Sequence, residues 1–295
     1  MNKIVFSLFC FFIIISASGQ QVDLYIPEDT TRIKARIWQD LKYDMESISG
    51  GFVNAFTQPL RWQKDDYMIA GATVVGVSLL YLVDEDTSDF FRRQQNDIPH
   101  GVMDAGWYFG RPEANYGLTA GIYFFGLFTG NEKVRDAGVL LFTSAAATGV
   151  FQQTMKTFTG RGRPGLDKGK NQFRLFKGGH AYGSFPSGHT ILSTTTIYGL
   201  SKQFENPWIK GGLYAVGLIT PMSRLVEGAH WLTDVGLSVV VSIAIVEGVD
   251  NYLKRKKRYN TTDETFGMIN LREYQRKIKW NLSFGAATIR IVGSF

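Results

Sequence analysis

Six stretches without a charged residue dominate the sequence between positions 67 and 246. They are rich in Gly, Ala, Val and aromatic residues, a composition that allows helices to pack closely against one another. We therefore predict an all-α fold with a six-helix core bundle. The predicted core helices lie within residues 67–83, 114–131, 137–155, 190–201, 211–223 and 235–246.

Three polar clusters interrupt this apolar sequence, and each lies at the end or the start of a predicted helix. They are Lys156 to Arg163-Pro164, Pro186-Ser187-Gly188-His189, and Ser223-Arg224 followed by His230 and Asp234. Because neighbouring helices of a bundle run antiparallel, we expect all three clusters to meet at one end of it.

Basic residues and a helix start in these clusters are suited to binding a phosphoryl group. A phosphomonoester carries nearly two negative charges at neutral pH, and guanidinium groups match its oxygens in pairs. A proline, a hydroxyl residue and a long apolar run indicate a helix N-terminus, whose free N–H groups bind anions. The predicted phosphate-binding residues are Lys156, Arg163, Ser187, Gly188 and Arg224.

Two of the four histidines lie within the clusters. His230 and Asp234 are four residues apart, so on a helix the carboxylate would hold one ring nitrogen and leave the other free as a nucleophile. His189 would protonate the leaving oxygen as a general acid. We assign no function to His100, and we interpret His180 as a solvated loop residue.

The combined pattern resembles the type 2 phosphatidic acid phosphatase (PAP2) superfamily, which also contains class A acid phosphatases and vanadium haloperoxidases. It consists of Lys-x6-Arg-Pro, Pro-Ser-Gly-His and Ser-Arg-x5-His-x3-Asp, and the resemblance covers roughly residues 60–250. The resemblance implies a PAP2-type helical bundle and a phosphoric monoester hydrolase. It also implies that His230 forms a phosphohistidine, Asp234 supports it and His189 is the acid.

The predicted activity is hydrolysis of a phosphomonoester, such as a lipid phosphate or pyrophosphate, with no metal or other cofactor. Two alternatives use the same residues: a vanadium-dependent haloperoxidase and a soluble periplasmic acid phosphatase without substrate specificity. A third is a non-catalytic envelope protein, against which the intact motif set argues. The net charge of +6 and the lack of a basic and aromatic stripe give no indication of nucleic-acid binding, and the sequence leaves the oligomeric state open.

The chain is predicted to consist of four segments. Residues 1–19 have the charged start, apolar core and small-residue end of a signal peptide, and they contain the single cysteine, Cys10. Residues 20–65 form amphipathic helices that Gly50 and Gly51 interrupt. Residues 66–258 form the phosphatase domain, in which residues 84–112 are a long polar loop. Residues 259–295 form a tail in which alternating apolar residues predict a β-hairpin.

The signal peptide predicts export to the periplasm or the envelope membrane, where association with a membrane is plausible. Only the first three predicted core helices approach the ~20 apolar residues that a membrane span requires. The mean hydropathy of −0.07 is low for a protein with many spans. Six spans after a cleaved signal would place the site in the cytoplasm. The sequence therefore slightly favours a soluble or surface-bound periplasmic bundle.

Overall fold

The computed structural model describes residues 30–176, 179–256, 279–285 and 288–294. They belong to two units, Met1–Lys256 and Lys257–Phe295. The first unit is helical, with α1 (Thr30–Thr57), α2 (Lys64–Leu82), α3 (Asp84–Arg93), α4 (His100–Phe109), α5 (Pro112–Thr129), α6 (Glu132–Thr159), α7 (Gly188–Ser201), α8 (Pro207–Gly217), α9 (Ile219–Val226) and α10 (Leu232–Lys256). Short 3-10 helices lie at Gln58–Arg61, Pro164–Leu166 and His180–Tyr182. The predicted all-α character of this unit is confirmed.

The predicted core helices differ from the observed ones at one place. The run 211–223 is divided between α8 and α9, which meet at Leu218. Pro221 explains the break, because a proline ring clashes with the carbonyl four residues earlier in a continuous helix. The six-helix count therefore stays a prediction, while the other five runs each lie mainly within one helix.

Gly50 and Gly51 do not interrupt the N-terminal segment, contrary to the prediction. Helix α1 continues through both residues to Thr57. A Cβ atom at Gly50 would lie 1.9 Å from the hydroxyl oxygen of Tyr252, and one at Gly51 would lie 3.1 Å from Thr143 Cγ2. The two glycines therefore allow α1 to pack closely on α10 and α6.

The prediction of a long loop over residues 84–112 was also wrong, because this stretch contains α3 and α4. Helix α3 has three acidic residues in its first turn and two arginines in its last turn, which complement the helix dipole. Helix α4 packs against α9: a Cβ at Gly106 would lie 2.5 Å from Ser223 Oγ, and Thr220 Oγ1 donates to the Gly106 carbonyl at 2.9 Å. Part of the supposed loop thus lies beside the third polar cluster.

The ends of α6 determine where the first polar cluster lies. Asn131 caps the helix by accepting a hydrogen bond from the Val134 N–H at 3.1 Å. The helix ends at Gly160, which adopts φ of 53°, a left-handed conformation that favours glycine. A Cβ there would lie 1.8 Å from the carbonyl oxygen of Arg174, so the chain after Lys156 turns tightly beneath residues 172–174.

Helices α7 and α10 are joined by buried hydroxyl groups. Ser238 Oγ donates to the Ser187 carbonyl at 3.1 Å, and Ser242 Oγ donates to the Ile191 carbonyl at 3.1 Å. Small hydroxyl residues permit close helix contacts and satisfy their own polar atoms. These bonds fix the start of α7, which carries His189, against the start of α10, which carries Asp234.

Three of the described helices are long and apolar enough to cross a membrane, namely α2, α6 and α10. Their most apolar windows have mean hydropathies of 1.2, 1.2 and 1.9, and the window of α2 is not buried at all. Large apolar side chains on α2, among them Ile69, Val74 and Leu79, are about 60% exposed. These helices favour membrane association over the soluble bundle that the sequence slightly favoured. The predicted signal peptide lies outside the described residues.

The second unit contains two strands, β1 (Lys279–Gly285) and β2 (Thr288–Ser294). They pair antiparallel, with Lys279 opposite Ser294 and Gly285 opposite Thr288. The two residues between the strands are outside the described residues, so the hairpin stays a prediction.

Candidate active site

Backbone pairing between loops brings the three polar clusters together. The segment after α6 pairs with the segment before α7, and the loop before α10 joins both. The bonds run from Arg163 N to Ala181 O at 3.1 Å, from Ser184 N to Arg161 O at 3.0 Å, and from Trp231 Nε1 to Gly162 O at 2.8 Å. The predicted meeting of the clusters at one end of the bundle thus has a defined scaffold.

His230 is buried in the loop just before α10. Its Nδ1 lies 2.7 Å from the carbonyl oxygen of Ser184 and 3.8 Å from Oδ2 of Asp234. Because a carbonyl oxygen can only accept, Nδ1 carries the proton and Nε2 keeps its lone pair. The tautomer required of a nucleophile is therefore set mainly by a backbone carbonyl. Sequence reasoning missed it, since a carbonyl leaves no trace in residue type.

Asp234 organises the loops around the histidine. Its Oδ1 accepts from Arg161 Nη1 at 2.7 Å, while its Oδ2 accepts from Ser184 Oγ at 2.5 Å and from the Trp231 N–H at 2.9 Å. The carboxylate is completely buried. Its contact with the ring is electrostatic at 3.8 Å. Asp234 therefore supports His230 both by charge and by holding Ser184 in place.

His189 is the second residue of α7 and is enclosed by α4. Its ring stacks near Trp107, with centroids 6.3 Å apart and 29° between the planes. A Cβ atom at Gly110 would lie 2.5 Å from the Cβ of His189. The buried Nε2 of His189 has no hydrogen-bond partner among the residues that the structure describes. Trp107 and Gly110 were assigned to a loop, so this wall of the site was not predicted.

The two imidazoles and the basic side chains lie close enough to affect one another. Burial first, and then repulsion from Arg224, His230, Lys156 and Arg163, together lower the pKa of His189 to about 3. Burial also lowers the pKa of His230 to about 4, against the opposing effect of Asp234. Both rings are therefore neutral at pH 7 when no anion is bound. Because the neutral imidazoles add no charge of their own, the nearby cations give the site a positive charge that favours binding of an anion.

The three predicted phosphate-binding cations differ in how they are held. Arg224 is buried and donates to Glu227 Oε1 at 2.8 Å and to Ser223 Oγ at 3.2 Å. The buried Nε of Arg163 has no partner in the described part of the chain. Lys156 lies in the last turn of α6. The unsatisfied donor of Arg163, whose charge acts on both imidazoles, is a further feature expected of a site for oxyanions.

Ser187 and Gly188 mainly pack the start of α7. The Ser187 N–H donates to Ser238 Oγ at 2.9 Å, and the Ser187 hydroxyl lies 2.9 Å from Thr190 Oγ1. A Cβ at Gly188 would lie 2.6 Å from Gln152 Nε2. The first-turn N–H groups of Gly188 and His189 have no acceptor within the helix, so these amides are the ones suited to an anion.

His180 lies nearer the site than the sequence indicated. The charge of Arg163, with burial and Lys156 as smaller causes, lowers the pKa of His180. The side chain is nevertheless exposed. His100 is the exposed first residue of α4, and no role follows from its position.

Arg161 and Asp84 are two further residues that sequence reasoning missed. Arg161 is 1% exposed and Asp84 is 0% exposed, and they form an ion pair at 2.7 Å. From sequence, Asp84 is predicted to lie in a loop, and no role is assigned to Arg161. A buried pair of opposite charges has no local signal when its members are 77 positions apart in the chain.

Replacing Gly110 with alanine is expected to lower kcat by about tenfold or more, because a displacement of about 1 Å in an active site costs up to ~100-fold. The new methyl group would overlap the backbone and Cβ of His189. The measurement is phosphate release by purified protein. Gly117→Ala on α5 is the matched control, since a Cβ there meets no atom within 4 Å. Equal rates for both variants would contradict the proposed contact.

Comparison with known proteins finds similarity to the superfamily whose motifs the sequence resembles. Residues 137–258 match the family model described as the PAP2 superfamily. This part of the chain is therefore similar to the PAP2 superfamily. The match begins in α6 and continues through α10, so it includes all three polar clusters.

Curated proteins similar to parts of this chain include lipid A 1-phosphatases. The protein from Porphyromonas gingivalis is 29% identical over 147 residues, which are 44% of this chain and 32% of the relative. The protein from Rhizobium etli is 28% identical over 195 residues, which are 60% of this chain and 78% of the relative. The matched part thus spans about a third of the first relative and most of the second.

A crystal structure of LpxE from Aquifex aeolicus is also similar. It has a TM-score of 0.43 and 23% sequence identity, and it covers 56% of this chain and 94% of that chain.

No group of three His, Cys, Asp or Glu side chains that could hold a metal ion occurs among the described residues. The absence of a cofactor stays a prediction.

Proposed function

We propose that this protein is a phosphatase that hydrolyses a phosphate monoester of a membrane lipid through a phosphohistidine intermediate. The 1-phosphate of lipid A is the proposed substrate, because curated proteins similar to parts of this chain are lipid A 1-phosphatases. The observation that carries the mechanism is a pair of neutral imidazoles beside three cations, one with its Nδ1 proton fixed by Ser184 and the other with an unpartnered Nε2.

In the first step, Nε2 of His230 attacks phosphorus and the bond from phosphorus to the ester oxygen breaks. His189 gives a proton to that oxygen, so the alcohol leaves neutral. Lys156, Arg163 and Arg224 stabilise the charge on the equatorial oxygens of the transition state.

In the second step, water attacks the phosphohistidine. His189, now neutral, accepts a proton from the water, and the bond between phosphorus and His230 breaks to release inorganic phosphate. His189 must therefore be protonated for the first step and neutral for the second. A bound phosphate dianion opposes the repulsion from the cations, so binding of substrate raises the proton affinity of His189.

Three apolar helices reach the site with one end each. Helix α2 ends at Leu82, two residues before Asp84, α6 carries Lys156 in its last turn, and α10 carries Asp234 in its first turn. If these helices cross the bilayer, the site lies at the membrane surface, where the phosphate of a lipid headgroup is found. This placement supports a lipid substrate over a soluble one.

The test uses the full-length protein in detergent micelles with lipid A and a soluble aryl phosphate. We expect release of inorganic phosphate from the 1-position of lipid A, and no release above background by a His230→Ala variant. His100→Ala is the control for loss of an exposed histidine. If the wild-type protein releases phosphate from no ester, the proposal is wrong. Halide oxidation with added vanadate and peroxide, without phosphate release, would support the haloperoxidase instead.

The alkaline limb of kcat/KM is expected to follow the substrate rather than the enzyme. A phosphomonoester loses its second proton near pH ~6, whereas the pKa of His189 is lowered to about 3 and that of His230 to about 4. Both rings of the free enzyme are thus neutral where the substrate titrates, so the proton that His189 delivers enters with the phosphate monoanion, whose fraction falls above the second pKa of the ester. Using an ester of lower second pKa should move the limb to lower pH by the same amount. A limb that stays in place for both esters would contradict this assignment.

A further inference from the structure

The two arginines of Gly160-Arg-Gly-Arg163 have different surroundings. Arg163 keeps a buried Nε without a partner among the described residues. Both terminal nitrogens of Arg161 are used, because Nη1 donates to Asp234 Oδ1 and Nη2 donates to Asp84 Oδ2, each at 2.7 Å. Carboxylates thus hold both terminal nitrogens of Arg161, although its buried Nε, like that of Arg163, has no partner among the described residues.

Aromatic rings surround the guanidinium of Arg161. Its Cζ lies 5.0 Å from the centroid of Tyr81, 5.4 Å from Trp231 and 5.8 Å from Phe173. Exclusion of water strengthens both the ion pairs and the contacts between cation and ring. The side chain is thus held in one orientation between two fixed carboxylates.

Asp84 connects this arginine to the start of α10. Its Oδ1 accepts from the Thr233 N–H at 2.9 Å, and its Oδ2 accepts from the Thr233 hydroxyl at 2.7 Å. Thr233 precedes Asp234 directly. The first residue of α3 therefore fixes the turn of chain that carries the carboxylate beside His230.

We propose that Arg161 and Asp84 are positioning residues that hold His230 for attack, and that Arg161 does not touch the phosphate. Arg161 acts on Ser184 twice: its carbonyl accepts from the Ser184 N–H at 3.0 Å, and its side chain fixes Asp234, which accepts from Ser184 Oγ at 2.5 Å. The Ser184 carbonyl then fixes Nδ1 of His230 at 2.7 Å. This inference rests on the proposed phosphatase function.

Arg135 offers a matched control for the purely structural effect of a buried arginine. It is 1% exposed and forms ion pairs with Asp40 and Asp44 of α1. It lies in the first turn of α6, whereas Lys156 lies in the last turn, so about 30 Å of helix separates it from the site at 1.5 Å per residue.

The experiment compares Arg161→Gln, Arg161→Lys, Asp84→Asn, Arg163→Gln and Arg135→Gln in the full-length protein, using one phosphate ester. The readouts are kcat, KM and the inhibition constant of inorganic phosphate. We expect Arg161→Gln to lower kcat by about 100-fold, the cost of about 1 Å of misplacement, with KM and the inhibition constant within about twofold. Arg161→Lys keeps the charge and one hydrogen bond, so its defect should be about tenfold.

Arg163→Gln should instead raise the inhibition constant of phosphate by about tenfold or more, because it removes a charged donor to the anion. Arg135→Gln should lower the melting temperature and leave kcat of the folded protein within about twofold. The double variant Arg161→Gln, Asp84→Asn should have a kcat within about threefold of the slower single variant. The effects of residues that act as a unit are not additive.

The inference fails if Arg161→Gln raises the inhibition constant as much as Arg163→Gln, because Arg161 would then bind the anion. It also fails if Arg161→Gln keeps wild-type kcat, or if Arg135→Gln loses as much kcat as Arg161→Gln. Should Arg161→Gln not fold, Arg161→Lys and Asp84→Asn decide the question by the same readouts. If the wild-type protein releases no phosphate from any ester, the proposed function is wrong, and this inference fails for that reason.

Discussion

Replacing His230 with alanine is expected to lower kcat for phosphate release by about 10⁴-fold or more, the size of effect seen when a nucleophile is removed. The variant lacks the nitrogen that forms the bond to phosphorus. The measurement is release of inorganic phosphate together with trapping of acid-labile phosphate on the protein. Wild-type protein should carry the label during turnover and the variant should carry none.

His230→Ala removes a side chain that is 2% exposed, so loss of structure must be separated from loss of chemistry. Binding of inorganic phosphate provides this control, because the three cations remain in the variant. We expect the affinity for phosphate to change by less than about tenfold, since no charged donor is lost. A variant that binds phosphate and still turns over at the wild-type rate would exclude the phosphohistidine.

The polar clusters could be located from sequence because each contains residue types that are rare inside apolar helices. Lys156, His189 and Arg224 each interrupt or adjoin a charge-free run, and the structure places them close together at the ends of α6, α7 and α9. A charged side chain at a helix end is thus a local signal. The antiparallel order of the helices turns that signal into a prediction of proximity.

The residues that support the site gave no such signal. Ser184 acts through its backbone carbonyl, and Gly110 acts by lacking a side chain. Asp84 and Arg161 make a pair across 77 positions, and only the folded chain shows that the acidic start of α3 meets the first arginine of the cluster. Tertiary contacts between distant segments determine these roles, and the periodic pattern of apolar residues does not predict such contacts.

The N-terminal segment shows a different limit of sequence reasoning. Adjacent glycines usually destabilise a helix, so Gly50 and Gly51 predicted a break. The helix continues because the glycines pack against Tyr252 and Thr143: a Cβ at Gly50 would collide with the Tyr252 hydroxyl, and one at Gly51 would crowd the Thr143 methyl group. Packing energy gained against α10 and α6 outweighs a propensity cost of about 1 kcal/mol per glycine.

Replacing His189 with alanine is expected to slow formation of the phosphohistidine by about 10³-fold for a lipid phosphate, within the range for loss of a general acid. A sugar or alkyl hydroxyl is a poor leaving group unless it is protonated. A nitrophenolate leaves without a proton, so for a nitrophenyl phosphate the loss in this step should shrink to about tenfold. The first-turn amides and the three cations remain to hold the phosphate.

The control for this leaving-group effect is Lys156→Ala. Lys156 contributes charge to the phosphate and not a proton to the leaving oxygen. Its removal should slow formation of the phosphohistidine from both esters by a similar factor, about tenfold or more for loss of a charged donor. If the two variants show the same dependence on the leaving group, the assignment of His189 as the acid is wrong.

His189 also accepts a proton from water in the second step, and this gives His189→Ala a kinetic signature. With nitrophenyl phosphate the first step of the variant, slowed only about tenfold, should remain faster than breakdown of the phosphohistidine, which loses its proton acceptor. Rapid mixing should therefore show a burst of nitrophenolate equal to the enzyme concentration, followed by slow turnover. A variant without the burst, but with a normal rate of phosphohistidine breakdown, would contradict the role of His189 as proton acceptor in the second step.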